Sequence, residues 1–232
     1  MRSNTEPERE EFPPFYRQLE FFDPNAVDPH VTIIGAGGIG SPVALELIQL
    51  GVRRLTVYDG DEVAPHNIST TVYRPRDVGK LKVDALGELI QEYAVSPVVY
   101  TGIPTPFSGR EVLHADVMVS AVDSLSVRRV LFQAAIRAHI PFFVDGRIGG
   151  EQIRVYSVQP QVPADRRFYL TTLAETPVPL PCTGQQVRFV GSLASGLIVR
   201  SIAKWVTQGV YEQGLLVKTE PLVLLVSGRV AR

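Results

Sequence analysis

Four groups of residues in this chain have the types and the spacing to handle a phosphorylated ligand. They are the glycines Gly35, Gly37, Gly38 and Gly40 in 31-VTIIGAGGIG-40, the acids Asp59 and Asp61 in 57-VYDGDEV-63, Asn67 followed by Lys82 in 79-GKLK-82, and Asp123 ahead of Arg128 in 123-DSLSVR-128. Glycines let a backbone approach a phosphate closely, and the start of the helix beyond them offers unpaired N–H groups and the positive end of a dipole. A carboxylate roughly 20 residues further on, at the end of the next strand, is where such units hold a ribose. A glycine turn with a single acid would serve a nicotinamide or flavin dehydrogenase equally well. Two carboxylates, a lysine and arginines around one phosphate site suit a triphosphate with Mg²⁺ better than a hydride carrier. No GxxxxGK[ST] occurs, so the chain is not a P-loop enzyme. Cleavage between the α- and β-phosphates, as in adenylyl transfer, fits a site that grips the α-phosphate with helix N–H groups.

The elements that must position these residues can be read from hydrophobic period. The β-branched run Val31 to Ile34 predicts a buried parallel strand, with a helix from Ser41 through Val43, Ala44, Leu47 and Leu50. Leu55 to Tyr58 is the second strand. Residues 77–93 carry a helical stripe (Val83, Leu86, Leu89, Ile90) with Asp77 as its cap. Strands are predicted over 95–100, 116–122, 141–145 and 151–158, with an amphipathic helix between the second and third of these. The proline-rich stretch 159–182 reads as a long exposed, mobile crossover loop. A long helix follows over about 185–208, and 214–232 gives two strands. Residues 1 to about 12 are expected to be disordered, and 15-FYRQLEFF-22 to form a short helix with Phe15, Leu19 and Phe22 on one face. The fold class is α/β: a single domain over 1–232, with an N-terminal arm at 1–25, built on a Rossmann-like doubly wound, mostly parallel sheet with C-terminal antiparallel strands.

Composition narrows the function classes. At 232 residues, 45% apolar and 20% charged, the chain suits one ordinary globular domain. A net charge of −1 gives no electrostatic case for nucleic acid or a membrane surface. No apolar run is expected to reach a membrane span, and the polar N-terminus lacks a secretory core. One cysteine excludes an intramolecular disulfide and a CxxC zinc site. The four histidines stand singly and read as structural or solvated. Together these suggest a reducing, cytoplasmic setting.

In order along the chain, 16-YRQ-18, 35-GAGGIGS-41, 59-DGDEVAPHN-67, 78-VGKLK-82, 123-DSLSVR-128, 145-DGRIGG-150 and 182-CT-183 resemble the ThiF/MoeB-type adenylyltransferases related to ubiquitin-activating enzymes. The resemblance implies a Mg·ATP site and a partner, a small ubiquitin-like or sulfur-carrier protein whose C-terminal carboxylate is adenylated. It implies that Gly38 and Gly40 turn against the nucleotide, Asp59 takes the ribose, Asn67 and Lys82 contact phosphates, and Asp123 binds Mg²⁺ or orients the phosphates. Arg17 matches an arginine that reaches into the partner subunit's ATP site in homodimers of this family. Cys182, in a Pro-Cys-Thr context, matches the acceptor of a thioester. Two departures stand out. The family's asparagine is usually followed by an arginine-glutamine pair, where this chain has Thr70 and Thr71, leaving Arg74, Arg76 or Arg147 to substitute. The two CxxC pairs of many relatives are absent.

Each residue also has a structural reading. Asp59 could cap a turn, Lys82 sit on a solvated face, Asp123 cap a helix, Arg17 lie on the surface, Arg128 brace its helix, and Cys182 be a small buried apolar residue. The other functional classes are a catalytically degraded scaffold for a ubiquitin-like protein, an NAD-dependent oxidoreductase, and a relative that adenylates a small carboxylate, a peptide end or a tRNA-borne carboxylate.

Overall fold

The structure, a computed structural model, describes residues 13–150, 152–174 and 188–231. Strand β1 (His30–Ile34) runs into a glycine turn and helix α1 (Gly40–Leu50), and β2 (Arg54–Tyr58) returns beside β1. Helix α2 (Lys82–Tyr93) leads to β3 (Val99–Ile103), then β4 (Val117–Ser120), α3 (Leu125–Arg137), β5 (Phe142–Gly149), β6 (Gln152–Val158), α4 (Pro163–Thr172), α5 (Arg188–Gln208), β7 (Tyr211–Thr219) and β8 (Leu222–Ala231). The eight strands form one sheet in the order β3-β2-β1-β4-β5-β6-β7-β8. The first five are parallel, and β6, β7 and β8 are added antiparallel. The doubly wound sheet with an antiparallel C-terminal flank is therefore as the sequence predicts.

The apolar runs are continuous because both faces of the central strands are covered. In β4, Val117 and Val119 join the core under α1, α2 and α5, while Met118 joins the core under α3 and α4. In β5, Phe142 and Val144 divide from Phe143 in the same way. Trp205 of α5 stacks on Phe142 with ring centroids 4.7 Å apart. By length and mean hydropathy α5 is long and apolar enough to cross a membrane, against the expectation of no such run. Its Val190, Ala194, Ile198 and Ile202 are buried in the core, which accounts for that composition.

Several expectations are corrected. The helix expected over 77–93 begins at Lys82, because Gly79 at φ +87° breaks the chain away from a separate 3₁₀ turn, Pro75–Asp77. Asp77 caps that turn, accepting from the Arg74 amide at 2.9 Å, and not α2. The third strand starts at Val99, beyond Pro97, which has no N–H for the ladder. Residues 159–182 are not one loop: Pro163 opens α4, whose Tyr169 is fully buried. Among the described residues of the N-terminal arm the expected helix is a 3₁₀ turn, Tyr16–Gln18, with Phe22 buried and Leu19 exposed. Residues 1–12, expected to be disordered, lie outside the described residues.

The segment between β2 and α2 is fastened by charge. Asp77 is fully buried and pairs with Arg74 at 2.8 Å and Lys80 at 3.4 Å, while Arg74 also reaches Glu88 and Glu92. Burial alone would raise the Asp77 carboxyl, but the hydrogen bonds and charge of Arg74 hold it at about 2. The folded chain therefore binds fewer protons here than the unfolded chain, whose carboxyl titrates near 4. This contribution is full above the unfolded value and is lost as pH falls through the folded one. Acid titration of Tm should show wild type losing about 1–2 kcal/mol more than Asp77→Asn between pH 5 and pH 2.

Candidate functional site

β1 has β2 on one side and β4 on the other, so chain connections diverge at its carboxyl end and leave a crevice there. The glycine turn, the end of β2 and the end of β4 all meet at this point. Gly35 adopts φ +97°, and a Cβ on it would stand 2.7 Å from the Ala121 carbonyl, so the turn lies directly against the loop after β4. A Cβ on Gly40 would stand 1.8 Å from the Gly35 carbonyl oxygen, so the helix can start only on a glycine. A Cβ on Gly37 would meet nothing within 4 Å. The amides of Gly37 and Gly38 donate to no other described residue. Open space over free N–H groups at a helix start is a cradle for an anion.

Asp59 closes the turn from the β2 side. Its carboxylate accepts from the Ala36 amide at 2.7 Å and the Asp61 amide at 2.9 Å. It does cap a turn, as the structural reading holds, and it does so beside the cradle. Lys82, largely buried at the first position of α2, donates to Asp61 at 2.6 Å and lies 3.7 Å from Asp59. It is not on a solvated face. Asn67 uses its Oδ1 to accept from the Ala64 amide at 2.9 Å, capping its own 3₁₀ turn. Asp123 is exposed on the loop after β4 and has no hydrogen bond or ion pair to another described residue. The structure thus brings Gly35, Gly37, Gly38, Gly40, Asp59, Asp61, Lys82 and Asp123 to one crevice.

Arg17 is not among them. The Gln18 side chain donates to the Leu50 carbonyl at 2.6 Å, and Phe15 and Pro24 pack at Gly51, so the N-terminal arm sits on the carboxyl end of α1. The glycine turn is at the other end of that helix, about 16 Å away. Cys182 lies outside the described residues. Of the substitute arginines, Arg74 is held by Asp77, Glu88 and Glu92, and Arg147 by Asp145 at 2.7 Å and Thr172 at 2.9 Å. Arg76 is exposed, with Glu92 at 3.6 Å. Arg128 is buried against Asp145 and the Gly146 carbonyl, bracing more than its helix.

Two supporting residues received no role from the sequence, although Asp145 opens the motif 145-DGRIGG-150. The Tyr73 hydroxyl donates to the Ala36 carbonyl at 2.8 Å, and burial raises its pKa. Asp145 interrupts the apolar run 142-FFVDGRIG-149, and a charge inside a buried strand is the signal that could have marked it. Three of the histidines that stand singly in the sequence converge. His30, His114 and His139 line a cavity at the opposite, amino-terminal end of the strands. There His30 bonds Thr56 Oγ1 at 2.9 Å, which is a structural use.

The glycines separate fold from binding. Gly40→Ala should cost about 3 kcal/mol or more, through backbone overlap, or abolish folding. Gly37→Ala should leave stability within about 0.5 kcal/mol while filling the cradle, so that a nucleotide no longer raises its Tm.

Residues 25–218 match the ThiF family. Among curated proteins, the chain is 32% identical over 144 residues to the adenylyltransferase and sulfurtransferase uba4 of Emericella nidulans, covering 60% of this chain and 30% of that protein. It is 31% identical over 174 residues to its counterpart in Aspergillus clavatus, covering 73% and 34%. The chain thus spans about a third of the length of these relatives. Among solved structures, PaaA superposes with a TM-score of 0.76 at 18% identity over 100% of this chain and 79% of its own. E. coli MccB with MccA superposes with a TM-score of 0.75 at 15% identity, covering 94% and 72%.

Proposed function

This chain belongs to the ThiF family, and on that premise we propose that it is an ATP-dependent adenylyltransferase acting on the C-terminal carboxylate of a ubiquitin-like or sulfur-carrier protein. One observation carries the reading. The loop that ends in Asp123 lies against the glycine turn at Gly35, Asp59 and Lys82 join that turn from the β2 side, and among the described residues neither the Asp123 carboxylate nor the Gly37 and Gly38 amides have a partner. Names of similar proteins support it: uba4 is an adenylyltransferase and sulfurtransferase, and MccB has been crystallised with ATP and with MccA.

The Gly37 and Gly38 amides hold phosphate oxygens, and Asp59 offers its remaining lone pairs to the ribose hydroxyls. Lys82, neutralised by two carboxylates in the free chain, turns its ammonium to the phosphates. The partner's carboxylate attacks the α-phosphorus, an oxygen–phosphorus bond forms, and the bond to the bridging oxygen breaks to release pyrophosphate. The chain supplies position and charge and forms no covalent bond in this step. Among the described residues no three His, Cys, Asp or Glu side chains converge on a metal site. A Mg²⁺ would therefore take Asp123 with phosphate and water oxygens, the usual low protein ligand count for this ion. Bound there, it would neutralise phosphate charge. Cys182 remains the candidate acceptor of a subsequent thioester.

One observation favours a second reading, a scaffold that binds the partner without adenylating it. Thr70 and Thr71 replace the arginine-glutamine pair that the family resemblance leads one to expect, and Arg74 and Arg147 are held by other partners. Pyrophosphate exchange decides between the two. Asp123→Ala should lower exchange at least about 100-fold with Tm unchanged, because the side chain is exposed and unpaired. Calorimetry finding NAD bound tightly and ATP not at all would return the chain to the oxidoreductases.

A homodimer with Arg17 reaching the neighbour's crevice is part of the same proposal. The support is Arg17's place at the distal end of α1 and, among the described residues, the pairing of Arg74, Arg128 and Arg147 with other groups. Mixing inactive Arg17→Ala and Asp123→Ala chains one to one should restore up to about a quarter of the wild-type activity, since about half the dimers are hybrids and each hybrid has one intact site of two. An active chain that sediments as a monomer would end this part of the reading.

A further inference from the structure

Behind the Asp123 loop lies a buried charge group that the proposed chemistry does not use. Asp145, fully buried on β5, spends one carboxylate oxygen on Arg128. The other accepts from Arg147 Nε at 2.7 Å and the Tyr169 hydroxyl at 3.0 Å. Each arginine then reaches a different backbone. Arg128, in the first turn of α3, donates to the Gly146 carbonyl at 3.0 Å and to the Val122 carbonyl, one residue before Asp123. Arg147 donates to the Thr172 carbonyl at 2.9 Å and its hydroxyl at 3.0 Å, at the last residue of α4, and lies 4.5 Å above the Tyr156 ring.

We infer that Arg128 is the positioning residue for Asp123, and that Arg147 anchors α4 through the same aspartate. The inference rests on the nucleotide reading of the crevice and assigns what aims its free carboxylate. The loop after β4 is fixed at two consecutive residues. The Ala121 amide donates to the Ile34 carbonyl at 2.9 Å, and the Val122 carbonyl is taken by Arg128. Asp123 follows immediately with no partner of its own, so its direction is set by that clamp. A planar guanidinium suits the task because it can serve a carboxylate and two carbonyls at once, and an ammonium cannot span the same three acceptors. Two cations on one anion are tolerated in the core because every donor direction that reaches the backbone is satisfied.

Arg128→Lys keeps the buried charge opposite Asp145 and so should fold. Hydrogen exchange of the free protein should show amides 121–124 opening about tenfold faster than in wild type, with β1 amides unchanged. Arg147→Lys should instead loosen residues 170–174 and leave 121–124 as in wild type. With nucleotide, Arg128→Lys should need about tenfold more Mg²⁺ for half-maximal ATP binding, while AMP affinity stays within about twofold. Unchanged protection at 121–124 in Arg128→Lys, or equal acceleration over the whole chain, would overturn the inference. If wild type binds no Mg·ATP, the nucleotide reading fails, and the exchange of the free protein still decides whether Arg128 clamps the loop.

Discussion

The carboxylate of Asp59 is the joint on which the crevice depends. It is almost out of solvent, where an unsatisfied charge would cost several kcal/mol, roughly. It is satisfied from three sides: the Ala36 amide in the glycine turn, the Asp61 amide at the start of the next loop, and the Lys82 ammonium at the start of α2. One side chain thereby registers the ends of β1 and β2 and the first turn of a helix 23 positions beyond it in sequence, by numbering of Asp59 and Lys82. Tyr73 fixes the other side of Ala36 through its carbonyl. These bonds hold the turn without any ligand.

Positive charge in this chain is used largely for structure. Arg74 and Lys80 hold the segment before α2, and Arg128 and Arg147 share one aspartate in the core. What faces the crevice among the charged side chains placed there is one lysine against three carboxylates, Asp59, Asp61 and Asp123. A polyphosphate brought to such a site, as proposed, would meet more negative than positive side-chain charge.

The two faces of the sheet divide these tasks. α1, α2 and α5 cover one face and bring the glycine turn and Lys82 to the carboxyl ends of the strands. α3 and α4 cover the other and bring the Asp145 group under the loop that carries Asp123. A change in either layer reaches the crevice through backbone carbonyls and amides, because the site is built from strand ends and not from the middle of any element.

Sequence alone determined the order of the strands and of every helix but α4, the mostly parallel sheet and the glycine turn, because these follow from local period and from φ angles or close approaches that only glycine allows. It also marked Asp59, Lys82 and Asp123, because strand ends and helix starts are local features. It placed Asp77 on the wrong turn and ran a loop through α4, since capping and short helices are settled by which neighbours bury them. Only the tertiary structure decided which charges stay free. Arg74, Arg147 and Arg128 look alike in sequence, and their partners Glu88, Thr172 and Val122 lie 6 to 25 residues away along the chain. An arginine's availability depends on the acceptors that folding brings within reach, and that distance in space is not written in local spacing.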